Sequence, residues 1–496
     1  MTRRTDSGTG GGVRAALAVV GLVAIGILVT ASAVIVADRG AGPRPGQAAG
    51  TVAVIAENGV PDAVLVTRML LASSSSAVVV PAGAAPEERA RAVELSRNRR
   101  VPVYTVPAAG TGAVTAELRR LGVSSVVNVG GEVAGLGVTQ TSDTSRIGRG
   151  VVPFAGHPVV LLDDSGDDAA EAAADAGLAD AQVVRVPVAD PRATGESVAA
   201  VSRAGDPAIL AFGAAFGDEE TFRARVRQAR TVPQLPGGGQ LMFPSRRVVA
   251  LYGSPGSREL GPLGRQSLPA SIDRAKAVAA QYDSLSPAPV VPGFEIIVTV
   301  ASAEPGYRGA YTNVVDPAVV EPWIDAAEKA GIYVTLDLQP GRMDFLTQAK
   351  MYQRLLERPH VGLALDPEWR LKPGQVHLTQ IGSVDPAEVN RTSAWLADLV
   401  RTRNLPQKAF VLHQFDVDML GDRSRIDTSH PELAVVLHAD GHGVPAVKMG
   451  TWNRMISGMP PNVWMGWKNF YTEDKPMFGP GRTMAVRPVP YFISYQ

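Results

Sequence analysis

Apolar residues are distributed along the chain in three distinct patterns. From Ala15 to Ala37 the run AALAVVGLVAIGILVTASAVIVA carries no charge, and at about 1.5 Å per helical residue it can cross a hydrocarbon core of about 30 Å. Between residues 51 and 240, short valine-rich runs (TVAVIAE, AVVVPAG, VPVYTVP, SVVNVGG, PVVLLDD, QVVRVPV, PAILAFG) alternate with Ala/Glu/Arg-rich stretches of helical character. Apolar strands separated by helices predict an α/β layered region with a largely parallel sheet, in two lobes, 51–150 and 151–240.

After Arg246 the runs lengthen: RVVALYGSP, FEIIVTVAS, IYVTLDLQP, VGLALDPEW, KAFVLHQFD, ELAVVLHAD, AVKMGTWNR and NVWMGWKNF. Helices are expected between the early ones, over Pro269–Ser284, Pro317–Ala330, Phe345–Glu357 and Pro386–Thr402. Eight strands with intervening helices in about 250 residues predict a (β/α)8 TIM barrel over 246–496. QLPGGGQLMFPSRR, Gln234–Arg247, has the composition of a linker or turn cluster and places a domain boundary there.

Charge orients the first apolar run. Arg3, Arg4 and Arg14 precede it and Asp38, Arg39 and Arg44 follow. The positive-inside bias therefore makes 1–14 a cytoplasmic tail, 15–37 a single-pass transmembrane helix and 38–50 a flexible tether to an extracytoplasmic body. A cleaved signal peptide ending at Ala31-Ser32-Ala33 is the alternative, but the apolar run continues past that site. The chain has no cysteine, which excludes disulfides, thiolate metal sites, cysteine nucleophiles and a lipid-modified cysteine. Zero net charge without a basic run gives no support to nucleic-acid binding, and the absence of GxGxxG and Walker sequences gives none to nucleotides. No cofactor is expected.

Two stretches carry family resemblances. NGVPDAVLVTRMLLASSSSAVVVPAG (Asn58–Gly83) and VSSVVNVGGEV (Val123–Val133) resemble the cell-wall-binding repeat modules of Gram-positive surface proteins, although their Arg-Tyr motif is missing. That resemblance implies attachment to peptidoglycan or another envelope polysaccharide. With its glycine, proline, alanine and arginine content, the whole chain resembles actinobacterial membrane-anchored proteins.

The barrel runs begin apolar and end polar, and barrels of this kind build their sites at the C-terminal strand ends. Those ends carry Tyr252, Glu304, Asp337, Gln339, Asp366, Glu368, Trp369, His413, Gln414, His438, Asp440, Lys448, Trp452, Trp467 and Lys468. Carboxylates with flat aromatic rings suit glycoside hydrolysis, which needs an acid for the leaving oxygen and a second carboxylate for an oxocarbenium-like transition state. LALDPEW resembles the fourth-strand Asp-x-Glu of family 18 chitinases and family 25 lysozymes, although the two upstream aspartates of the chitinase motif are Val361 and Ala364 here. The resemblance implies Glu368 as proton donor and Asp366 as its partner. Asp337 and Asp440 are rival second carboxylates, and the remaining strand-end residues are expected to bind substrate.

Two other classes stay open. His413 and His438, on consecutive strands, could ligate zinc in a metal-dependent hydrolase, although hydrogen bonding to sugar hydroxyls is the preferred reading and no metal is expected. Alternatively, the barrel is a glycan-binding scaffold without catalysis. Lys448 and Lys468 would suit an acidic sugar or a Schiff base if they face the mouth.

Overall fold

The computed structural model describes residues 48–108 and 110–496. The expected membrane segment and the tail before it lie outside them. Among the described residues no helix is long and apolar enough to cross a membrane.

The valine-rich runs form two four-stranded parallel sheets. One has the spatial order Val52–Ile55, Ile209–Phe212, Val159–Asp163, Gln182–Val186; the other has Val103–Val106, Ser76–Pro81, Ser125–Asn128, Thr139–Thr141. The central strands are apolar because both faces are covered, whereas the edge strand Thr139–Thr141 is polar and unburied. Val160, Leu162, Leu210 and Phe212 pack with Val64 and Leu65 of helix Asp62–Leu70, while Val159, Leu161, Ile209 and Ala211 pack with Phe216, Phe222 and Val226. The division near Gly150 separates most of the two sheets, but strand Val52–Ile55 crosses it and pairs with Ile209–Phe212.

The C-terminal half closes into a barrel of eight parallel strands: β1 (Arg247–Gly253), β2 (Val290–Ala301), β3 (Tyr333–Leu338), β4 (Val361–Leu365), β5 (Lys408–Gln414), β6 (Leu433–Ala439), β7 (Trp464–Asn469) and β8 (Phe492–Tyr495). β1 pairs with both β2 and β8, which leaves no open edge between first and last strands. Val249, Leu251, Leu336, Leu363 and Phe410 turn outward to the helices; Val248, Ala250, Tyr333, Ala364 and Val411 fill the interior. That alternation is the period of two that any strand imposes.

Two sequence expectations need correction. AVKMGTWNR is not a strand: it lies in helix Pro445–Ile456, with Lys448, Thr451, Trp452 and Met455 buried at helical spacing. NVWMGWKNF supplies β7, and the eighth strand is the short run Phe492–Tyr495 near the C-terminus. Of the two readings of Gln234–Arg247, the structure has the turn cluster and not a loose linker: turns and bends run through it, and Leu235, Met242 and Phe243 are buried against the barrel's lower interior. The Arg246 guanidinium is buried among the carbonyls of Pro236, Gly238, Leu241 and Met242.

Candidate active site in the barrel mouth

Continuing the interior alternation toward the C-terminal strand ends brings every strand to a polar residue. Val248 and Ala250 lead to Tyr252 on β1, Tyr333 and Thr335 to Asp337 on β3, and Ala364 to Asp366 just after β4. Ala409 and Val411 lead to His413 on β5, and Ala434 and Val436 to His438 on β6. Glu295, Lys468 and Ser494 complete the ring from β2, β7 and β8, and all eight residues are buried. Gly466 makes the ring possible, because a Cβ there would lie 2.5 Å from His438 Cδ2.

The ring is cross-linked. His413 bonds through Nε2 to Glu295 Oε1 at 2.8 Å and through Nδ1 to Asp440 Oδ2 at 3.0 Å. His438 Nδ1 lies 3.4 Å from His413 Nδ1, and its Nε2 meets Ser494 Oγ at 3.2 Å. Tyr252 donates its hydroxyl to Asp337 Oδ2 at 2.7 Å, and the Lys468 ammonium sits 3.6 Å from the Tyr252 ring centroid.

These contacts sort the titratable groups by charge. Burial works against a charged His413, but Glu295 and the hydrogen bond to Asp440 override it and hold the imidazolium well above its usual range. Burial likewise disfavours ionised Glu295 and Asp440, and in both the His413 charge and hydrogen bond win, keeping them below the ordinary carboxyl range. Burial and the neighbouring His413 charge push His438 down to about 3, so it is neutral. The remaining acids go the other way. Burial raises Asp337 to about 6; burial and Asp337 raise Asp366 well above its usual value; burial and the Asp440 charge raise Glu368 to about 7.

A cavity of about 360 Å³ opens above the ring, and Tyr252, Gln339, Asp366, Glu368, Trp369, Asp440 and Lys468 line it. Glu368 reaches it because the chain leaves β4 through Pro367, which opens a 3-10 turn, Pro367–Trp369. Among the described residues the Glu368 carboxyl has no hydrogen-bond partner, and Asp440 Oδ1 makes no hydrogen bond. Asp337, His413 and His438 are buried beside these lining residues and touch them through hydrogen bonds or each other.

Other expected site residues lie elsewhere. Glu304 is exposed on the loop after β2. Gln414 is buried against Val417 and Arg423. Lys448 and Trp452 lie on helix Pro445–Ile456: Lys448 pairs with Asp474 at 2.9 Å, and the Trp452 indole donates to the Arg487 carbonyl. Trp467 points outward from β7 into the same cluster as Trp452. Trp464 opens β7 and packs on Phe243 at the opposite end of the barrel.

Glu295 and Ser494 were not among the expected residues. The signal for Glu295 is a lone charge inside the apolar run FEIIVTVAS, on the parity that faces the barrel interior. Glu295, His413 and His438 also bring ligand-type atoms within 4.8 Å of one another. However, both His413 nitrogens already face carboxylates, which favours a proton over a metal at that ring. The chain matches no family model and no curated protein.

Proposed function

We propose that the barrel hydrolyses a glycosidic bond in an envelope glycan, with Glu368 as general acid and Asp440 as the second carboxylate, acting as base or nucleophile. The observation that carries this reading is the pairing in one cavity of a protonated, unpartnered Glu368, raised to about 7, with an Asp440 kept ionised by His413. Glycoside hydrolysis requires two carboxyls held in opposite protonation states, and different surroundings are how a protein separates them. Trp369, Tyr252 and Phe470 supply aromatic surface along the same cavity. Asp366, itself protonated, would hydrogen-bond substrate or Glu368, in keeping with the Asp-x-Glu resemblance.

In this reading the apolar segment at Ala15–Ala37 anchors the protein in the cell membrane as a single pass. The two-sheet region, which resembles wall-binding modules, keeps the barrel near peptidoglycan or an associated polysaccharide. E368Q tests the assignment: cleavage of peptidoglycan or N-acetylhexosamine oligomers falls by about 10²–10⁴ while glycan binding persists. Unchanged turnover in E368Q would sink it. Binding without cleavage by the unaltered protein would leave a non-catalytic scaffold.

A metal-dependent hydrolase is the second reading, favoured by the proximity of Glu295, His413 and His438. It requires activity to vanish on chelation and return with added zinc or manganese. The carboxylate reading expects no such dependence.

A further inference from the structure

Glu368 and Trp369 border a second cavity, of about 320 Å³, as well as the first. The two differ in chemistry. The first contains Asp366, Asp416, Asp440, Arg454 and Lys468. The second is otherwise walled by the segment His377–Ile381 and has no acidic, lysine or arginine side chain besides Glu368. That wall is fixed in place: His377 Nε2 meets the Tyr311 carbonyl at 2.8 Å, its ring lies 5.4 Å from that of Trp369, and Gly382 N donates to the Glu368 carbonyl at 2.7 Å.

The wall exposes hydrocarbon. Leu378 is 87% exposed and Ile381 50%, with Val376 beside them at 39%. Of the ten strongly exposed large hydrophobic side chains among the described residues, six (Val376, Leu378, Ile381, Val417, Val444, Val447) follow β4, β5 and β6 at the barrel mouth. Single exposed aliphatics are ordinary, but this grouping at one end of the barrel is not scatter. Leu378 also has φ +64°, a left-handed conformation that glycine or asparagine adopts at lower cost. A leucine that is both strained and solvated is disfavoured twice, and such positions cluster where ligands bind.

We propose that the second cavity receives the leaving-group side of the substrate and that this group carries a hydrocarbon chain, making the substrate a glycolipid-type glycoside. The inference rests on Glu368 as the acid. In hydrolysis the bond between the anomeric carbon and the leaving oxygen breaks, and the Glu368 proton goes to that oxygen. Water places its hydroxyl on the anomeric carbon, and its remaining proton restores the carboxyl pair. The leaving group therefore lies against Glu368 in the cavity that Asp440 does not line, where Leu378 and Ile381 are the aliphatic members of a wall that also carries His377, Thr379 and Gln380. Pyranose rings are held by flat aromatic faces, whereas branched aliphatic side chains complement alkyl or prenyl chains, and each buried methylene multiplies affinity roughly fourfold.

The test is calorimetric titration of the full chain carrying E368Q with methyl and n-octyl glycosides of N-acetylglucosamine, the latter below its micelle concentration. The octyl compound binds at least tenfold tighter than the methyl compound. Adding L378S and I381S brings the ratio below threefold, while V152S, an exposed aliphatic in the two-sheet region, leaves it in place. Equal affinities, binding of neither glycoside, or a preference that survives L378S/I381S overturns the proposal. If the octyl preference depends on Leu378 and Ile381 but the unaltered protein cleaves no glycoside, the apolar subsite stands and the acid role of Glu368 fails.

Discussion

At the residue scale, the charge state of each carboxyl follows from whether His413 reaches it. Asp440 and Glu295 do and stay ionised; Asp337, Asp366 and Glu368 have no such bond and hold protons into the range above ordinary carboxyls. The kcat/KM profile should therefore stay flat down through the ordinary carboxyl range, because Asp440 is held ionised below it, and fall as Glu368 loses its proton near pH 7. H413Q removes the cation beside Asp440, so the acid limb of the profile moves up in pH.

Stability carries the same signature. The folded protein binds the Glu368 proton more tightly than the unfolded chain does, so this group's contribution is complete below about pH 4.5. It is lost as pH rises through about 7 and amounts to roughly 3 kcal/mol at most. E368Q should flatten denaturation midpoints over that interval; an unchanged slope would remove Glu368 from the account. G466A tests the ring itself. A Cβ 2.5 Å from His438 Cδ2 forces the imidazole off Ser494 and should cost about 1–3 kcal/mol by urea unfolding. Asp366 and Glu368 were legible because Pro367 marks the strand's exit, whereas Glu295 lies deep inside a run and shows only when interior parity is counted from the strand's neighbours.

At the element scale, periodicity distinguishes what composition does not. AVKMGTWNR contains enough apolar residues to pass for a strand, yet Lys448, Thr451, Trp452 and Met455 share the spacing of one helix face, and Pro445 sits where a helix begins. The eighth strand, only four residues long and preceded by Pro488 and Pro490, gives too short a run to register. Trp452 thus belongs to the seam between its helix and β7, its ring 5.3 Å from that of Trp467 and tilted 58° to it, with its indole N–H on the Arg487 carbonyl. W452A should cost about 3–5 kcal/mol through lost packing. W452F should cost less, mainly the unpaired Arg487 carbonyl at about 1–3 kcal/mol. Glycan affinity of W452F, measured well below its melting temperature, should match the unaltered protein; a large loss would put Trp452 back at the mouth.

At the scale of the whole molecule, Gln234–Arg247 joins the two-sheet region to the barrel as shared core. Its three glycines and two prolines read as a linker because composition records flexibility and not what the intervening side chains bury. Leu241 enters the cluster of the Val52/Ile209 sheet, while its neighbours Met242 and Phe243 enter the barrel's lower interior with Leu235. Gln407 ties the segment to β5, its side chain accepting from the Met242 N–H and its own N–H donating to the Gln240 carbonyl. Three buried side chains at roughly 1.5–3 kcal/mol each amount to a large part of the 5–15 kcal/mol by which a domain is usually stable. A barrel fragment beginning at residue 246, where composition places the boundary, therefore lacks its own floor and also leaves Trp464, 5.6 Å from Phe243, open to water. Thermal unfolding followed by tryptophan fluorescence should show a cooperative transition for a fragment beginning at residue 234. The fragment beginning at 246 should show a lower, broader transition and red-shifted emission. Equal melting temperatures would mean that the segment only tethers the barrel and adds nothing to its core.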